Sequence, residues 1–336
     1  MKSNSLWLLV AVLLLGVEAA NGTPTPENQG PAEAPVESSQ RRQPRDDAWW
    51  TGPLLAASPG SLTPGHFLIE PYLFDAIPQG YYDNGGTRQP VPHANNFGSQ
   101  SYILYGLTDK VGVGVIPRFG FNDPSVGHDS SRVAVGDLTL QAQYGLTQFE
   151  EGGWIPTTAF VIQETVPTGK YDRLGDRPAD GLGTGAYSTT LALYSQYFFW
   201  MPNGRILRTR LDVSYSISGS ASVHDVSVYG TDEGFRGRAR PGNVVVINAA
   251  WEYSLTQKWV LALDALYEHD SSTHVSGVAP TPVELNFGPG HTWSLAPAIE
   301  YNFNSRVGVI AGAKLTTSGR NATAVVIPVA AINIVI

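Results

Sequence analysis

Three groupings of side chains in this 336-residue chain have the residue types for chemistry. Ser222 lies two positions before His224, and Ser294 lies three after His291. Either pair would serve as nucleophile and base if a third polar group oriented the imidazole. Positions three apart on a strand face opposite sides, which rejects His291 with Ser294. Ser222 and His224 fall in a long loop where the sequence fixes no geometry. Asp172, Asp176 and Asp180 in KYDRLGDRPADGLGTG offer oxygens of the type that binds Ca²⁺, but at a spacing that matches no such loop. The seven histidines show no metal spacing, the chain has no cysteine, and no glycine-rich phosphate loop opens a helix. The expectation is a protein with no catalytic residue, no metal and no cofactor.

The third grouping is a set of charges at alternating positions: Glu70, Arg118, Asp137, Arg208, Arg210, Asp212, Glu252, Asp264, Glu268, Glu300 and Lys314. Seven of these eleven are acidic. Each sits opposite an apolar face. In AVGDLTLQAQYGL (134–146), Leu138, Leu140, Ala142, Tyr144 and Leu146 share one parity, and Asp137, Thr139, Gln141 and Gln143 the other. In 205–217, Leu207, Leu211, Val213, Tyr215 and Ile217 oppose Arg208, Arg210 and Asp212. A period of two means strands with one apolar and one polar face.

About twelve such segments follow one another, near 65–75, 98–107, 110–121, 134–146, 154–167, 186–200, 204–217, 243–255, 258–270, 291–303, 306–317 and 322–336. Tight turns at 108–109, 201–203, 256–257 and 304–305, and a somewhat longer link at 147–153, alternate with long loops at 76–97, 122–133, 168–185, 218–242 and 271–290. Alternating short turns and long loops are the asymmetry of an outer-membrane barrel. The fold expected is all-β, a transmembrane antiparallel β-barrel of about 12 strands, with the eleven charges lining a pore. In the competing soluble sandwich, the apolar face would be core and the charges would lie outside. Strand 154–167 does not alternate cleanly, because Gln163 and Glu164 are adjacent, and its faces stay unassigned. Pro71, Pro117, Pro156, Pro297 and Pro328 remove ladder donors, so bulges or strand ends are expected there.

A recurring tripeptide supports the barrel. Tyr105, Tyr144, Tyr197, Tyr253 and Tyr301 each end an even-numbered strand on its apolar face, just before a short turn. Amphipathic rings at one level suit a bilayer interface, so these five are expected to form a periplasmic aromatic girdle. An even strand number places both termini on that side.

Residues 1–20 have the charged start, apolar middle and small-residue end of a secretory signal peptide. Residues 21–64 are expected to be a Pro-rich periplasmic tether and lead-in, with Trp49 and Trp50 drawn into the periplasmic mouth as a plug. The barrel would occupy 65–336. A net charge of −8 argues against a nucleic-acid partner. The final strand, AAINIVI, alternates as a closing barrel strand does, though it ends in Ile336 where Phe or Trp is common.

Several stretches, GHFLIEPYLFD (65–75), YGLTDKVGVGV (105–115), VGDLTLQAQYGL (135–146), the PTG of ETVPTGKY and EYSLTQKW (252–259), together resemble the outer-membrane transporters of the meta-pathway of phenol degradation. The resemblance implies a Gram-negative outer-membrane barrel for passive uptake of small hydrophobic or aromatic solutes, with no catalytic residues to carry over. The partners it implies are outer-membrane lipid, the small-molecule solute and the outer-membrane assembly machinery. The alternative is a structural or adhesive barrel whose long loops bind a ligand outside the cell.

Overall fold

The computed structural model describes residues 42–336. The signal-peptide segment 1–20 and the tether as far as residue 41 lie outside the described residues. Twelve long antiparallel strands follow in chain order: β1 (Phe67–Asp75), β2 (Ala94–Gly106), β3 (Val111–Ile116 and Arg118–Pro124), β4 (Leu138–Thr147), β5 (Thr157–Val166), β6 (Ser188–Trp200), β7 (Ile206–Ser218), β8 (Val244–Ser254), β9 (Trp259–Asp270), β10 (Gly290–Asn302), β11 (Val307–Arg320) and β12 (Ala322–Val335). Each pairs with its neighbours in sequence, and β1 pairs with both β2 and β12, which closes the cylinder. The closing seam is pinned at one end by reciprocal backbone bonds between Phe67 and Ile336, at 2.7 and 2.9 Å. Closure leaves no edge strand, as a sheet facing hydrocarbon requires.

The distribution of polarity is that of a soluble protein turned inside out. Leu193, Leu211, Leu261 and Ile299 are exposed on the outer face, while Glu252, Asp264 and Glu300 are fully buried on the inner one. Burying carboxylates and exposing leucines would be costly in water. A lipid belt around a polar interior removes the conflict. This settles the choice between barrel and sandwich, because among the described residues no second sheet covers the apolar face.

Strand β5 is assigned by its neighbours. Phe160 and Ile162 face outward, and Ala159 and Val161 are buried inside. Gln163 donates to Gln141 on the inner face at 2.8 Å. Glu164 therefore faces outward, next to the end of the strand, where its carboxylate accepts the Thr189 hydroxyl at 2.6 Å. The prolines divide into two groups. Pro117 separates the two halves of β3, and Pro156 immediately precedes β5, as expected. Pro71, Pro297 and Pro328 instead lie inside β1, β10 and β12, in register with Ser101, Leu263 and Ala313. In an antiparallel ladder each N–H points to only one neighbouring strand, so a proline forfeits one bond and keeps its place on the other side.

The long connections are more ordered than loops. Strands Ala221–His224, Arg236–Arg240, Thr273–Ala279 and Thr281–Phe287 form a second, four-stranded antiparallel sheet. Its registers continue those of the barrel wall. Ser216↔Val244 leads on to Ala221↔Ala239, Val244↔Asp270 to Arg236↔Val278, and Asp270↔Gly290 to Thr273↔Phe287. The sheet is thus an extension of β7–β10 beyond the rim. Its apolar face buries Val223, Phe235, Ala239 and Val275 against Tyr171 and Tyr229.

Candidate functional site in the barrel lumen

The inner wall positions its charges because every second residue of β7, β8, β9 and β10 must face the lumen. Arg208 and Glu252 are direct cross-strand neighbours and form a two-pronged ion pair, with Arg208 Nε donating to Glu252 Oε2 at 2.7 Å and Nη2 to Oε1. Arg210 lies 3.6 Å from the same carboxylate and donates to Gln196 Oε1 at 3.0 Å. Such paired, hydrogen-bonded geometry is what lets charges remain buried.

The remaining carboxylates hold a length of the chain's own backbone. Residues 51–57 run through the lumen. The N–H groups of Thr51 and Gly52 donate to Glu300 Oε2 at 2.7 and 3.3 Å. Ala56 N–H donates to Asp264 at 2.9 Å, and Ala57 N–H to Asp212 at 2.7 Å. Arg210 Nη1 completes the set by donating to Ala56 O at 2.8 Å. Leu54 fits among Ala262, Ala296, Ala331 and Ile310, small and aliphatic side chains that leave room for it. At Gly312 a Cβ would come within 2.3 Å of the Pro297 backbone oxygen and 2.7 Å of Leu54 Cδ1, so glycine makes room on both sides. Nearer the turn side, the Trp50 ring lies 4.5 Å from the Arg208 guanidinium and edge-on to Phe198. Trp49 sits farther out, 6.0 Å from Lys258 Nζ.

Six of the eleven sequence-predicted charges therefore gather around this inserted segment: Arg208, Arg210, Asp212, Glu252, Asp264 and Glu300. Glu268 and Lys314 pair with each other. Asp137 is at the rim, where it accepts the N–H groups of Gly169 and Thr184 at 2.9 and 2.8 Å and fastens the long β5–β6 connection. Arg118 is exposed at the level of Gln100. Glu70 accepts Asn333 Nδ2 at 3.2 Å and belongs to a different part of the lumen.

That part is a cavity of about 460 Å³ beside the inserted segment, against β1, β2 and β12. Its walls are mainly apolar and aromatic: Leu68, Tyr72 and Phe74 from β1, Tyr102 and Leu104 from β2, and Leu55 and Leu62 from the segment. Tyr72 and Tyr102 meet edge-on at 5.8 Å, and Gln100 Nε2 donates to the Tyr102 hydroxyl at 2.7 Å. The charge-based reading missed this lining, although Leu68, Tyr72 and Phe74 share the parity of Glu70. The lumen thus has two sides, one filled by residues 51–57 and an open one whose mainly apolar wall also carries Glu70, Arg208, Arg210 and Lys314.

The loop candidates disperse. Asp172 pairs with His224 at 3.3 Å, Asp176 lies 3.8 Å from His128, and Asp180 accepts the Ser131 N–H at 2.7 Å. That N–H holds the Asp180 carboxyl below its ordinary pKa. Ser222 and His224 are not in irregular loop but on one face of a regular strand; no hydrogen bond joins them among the described residues. Ser294 is buried on the lumen side, whereas His291 stands next to Tyr267 on the outer face.

The model of a protein family described as "MetA-pathway of phenol degradation" matches residues 82–324. This chain belongs to that family. The matched span runs from within the first connection into β12, so the inserted segment and β1 precede it. Among solved structures, the fold is similar to an outer membrane channel from Pseudomonas putida F1, with a TM-score of 0.64 and 16% identity, over 83% of this chain and 98% of that one. The Pseudomonas putida toluene transporter TodX aligns more loosely, with a TM-score of 0.38 and 12% identity over 86% and 95%. No curated protein matches.

In this family member the five predicted tyrosines lie toward the turn side of the wall. Tyr105 stacks on Phe67 at 4.7 Å, Tyr301 on Trp259 at 4.7 Å, and Tyr197 lies between Phe149 and Phe199. Tyr144 is exposed, and the Tyr253 hydroxyl accepts Asn203 Nδ2 at 2.7 Å. A second aromatic group, Tyr215, Tyr267 and Trp293, occupies the loop side of the same outer face. Its members are scattered in sequence with no shared tripeptide, which is why the pattern search passed over them.

Proposed function

We propose that the protein is a passive outer-membrane channel for small hydrophobic or aromatic solutes, with both termini periplasmic and no chemical step. The observation that carries this reading is the aromatic-lined cavity of about 460 Å³ on the open side of the lumen. An apolar cavity of about 150 Å³ is enough to bind benzene, so a single-ring solute fits with room to move. Tyr72, Tyr102 and Phe74 supply apolar faces, while Glu70 and Gln100 offer hydrogen-bonding groups to a polar substituent. On this reading residues 1–20 are removed as a signal peptide, residues 21–41 tether the inserted segment, and the lumenal charges hold that segment in place. The two aromatic groups on the outer face would then mark the two interfaces of the bilayer.

The test is reconstitution into vesicles whose outer leaflet is lipopolysaccharide, with the entry rate of toluene or phenol compared with that of a sugar. Accelerated entry of the ring compound, lowered by filling the cavity with Leu104→Trp, is the expected result. No acceleration over protein-free vesicles, together with a silent planar bilayer, would overturn the channel and favour a structural or adhesive barrel.

A further inference from the structure

Strand Arg236–Arg240 places Arg236, Arg238 and Arg240 at alternate positions, so all three side chains leave the same face of the extension sheet. All three are exposed. Among the described residues none forms an ion pair or a side-chain hydrogen bond. Among the described residues the acids of the adjoining tip, Asp225, Asp232 and Glu233, form no ion pair with them, Asp172 is taken up by His224, the cross-strand neighbour of Arg236, and on the sheet itself Glu284 is two strands away. The cross-strand neighbours on this face are Ser222 and His224 on one side and His274, Ser276 and Val278 on the other. In a chain of net charge −8, three uncompensated guanidinium groups in a row are a local reversal of sign.

The row is also rigid. The opposite face of the same strands is the buried cluster of Val223, Phe235, Ala239 and Val275, packed on Tyr171 of the β5–β6 connection. Tyr171 Oη donates to Ser222 O at 2.9 Å, and Tyr229 Oη donates to Thr184 O. The connection is in turn held at the rim by Asp137. The arginine face is the one turned away from Tyr171, and the connection reaches its edge at Asp172, which pairs with His224 at 3.3 Å. At about 3.3 Å per residue, the row spans about 13 Å. Guanidinium groups bind phosphate through two parallel hydrogen bonds, and a fixed row of them loses little entropy on binding.

We propose that Arg236, Arg238 and Arg240 form a docking surface for the phosphate groups of the outer-leaflet glycolipid. This rests on the loop side facing the cell exterior, as the channel reading has it. There the lipid around the barrel is the nearest dense source of anionic phosphate, and it lies at the level of a sheet that continues the wall. A glycolipid with two phosphates would engage two or three of the arginines together.

The experiment uses the purified full-length protein in detergent, titrated with bisphosphorylated lipid A, with the dephosphorylated form and with inorganic phosphate. The variants are Arg236→Gln/Arg238→Gln/Arg240→Gln and the matching triple Arg→Lys. Lipid A is expected to bind the wild type at least tenfold more tightly than the triple Gln variant, with an affinity that falls as salt rises; the Lys variant should keep part of it. Heat-modifiable migration on gels checks that each variant is a folded barrel. Equal binding by wild type and Gln variant, or equal binding of dephosphorylated lipid, would overturn the proposal. So would inorganic phosphate competing at the concentration of lipid A, which would point to a free anion. Solute entry measured on the same variants in glycolipid-free vesicles keeps this outcome separate from failure of the channel reading.

Discussion

Withdrawal of the inserted segment should depend on Trp50 more than on any other single side chain. The ring lies 4.5 Å from the Arg208 guanidinium and meets Phe198 edge-on at 6.4 Å. A desolvated cation–π contact contributes about 1–2 kcal/mol and an aromatic pair about 0.5–1.5 kcal/mol. Trp50→Ala should therefore weaken insertion by about 2–3 kcal/mol, which shifts the equilibrium between inserted and withdrawn states by about 30- to 150-fold. The chain has no cysteine, so Ala56→Cys provides a clean reporter. Ala56 is 4% exposed beside Asp264, and a thiol there reacts with a bulky maleimide only when the segment leaves. Adding Trp50→Ala to the Ala56→Cys background should raise the labelling rate by about the same 30- to 150-fold. A rise of less than about threefold would show that the carboxylate bonds to Thr51, Ala56 and Ala57 hold the segment without the ring, and the reasoning would fail.

Other outcomes follow from the same geometry. Arg208→Leu leaves the fully buried Glu252 with only Arg210 at 3.6 Å and should destabilise the barrel by about 3–5 kcal/mol in urea, while Arg208→Leu/Glu252→Leu should recover most of the loss. Leu193→Arg, on the outer face in the middle of β6, should cost about 2–4 kcal/mol when unfolding is followed in vesicles; an unchanged midpoint would deny that this face meets lipid. The staple between Ser131 and Asp180 should respond to acid in a defined direction. Because the folded-state pKa of Asp180 is depressed, its contribution is present above the unfolded value of about 3.8 and is lost as pH falls through the lower folded one. Hydrogen exchange at the Ser131 amide should thus stay slow at pH 5 and accelerate, beyond the intrinsic rate, only below about 3.8; acceleration already at pH 5 would contradict the assignment.

Strand number, order and facing were legible because hydrocarbon outside and polar groups inside impose a period of two that residues such as Leu211 and Asp212 obey individually. All twelve segments correspond to strands of the wall. Strand β5 resisted because Glu164 escapes the rule at the rim, where a hydroxyl from Thr189 satisfies it. The extension sheet escaped notice because its strands are short and lie among turn residues, and Arg236–Arg240 alternates charged with small residues instead of large apolar with polar ones. Around the site, the charges were found and their purpose was not. Nothing in Glu300 or Asp264 alone says that the partner would be backbone N–H groups more than 200 positions earlier. The apolar cavity was overlooked for a related reason: a search for charge on the inner face ignores inner tyrosines such as Tyr72 and Tyr102, which the pairing of β1 with β2 brings together.

The seam between β1 and β12 has a consequence for the order in which the molecule forms. The first wall strand has only one neighbour, β2, until the last one arrives, and Phe67 meets Ile336 across nearly the whole length of the polypeptide. Hairpins can zip locally from β2 to β12, but the ring admits its final hydrogen bonds only when every residue is already in place. Such distant pairing is slow, because the loop-closure entropy comes before any contact repays it. Residues 51–57 also bond to Glu300 on β10 and pack, through Leu54, against Ile310 of β11 and Ala331 of β12, so the last wall strands must be built before their seat exists.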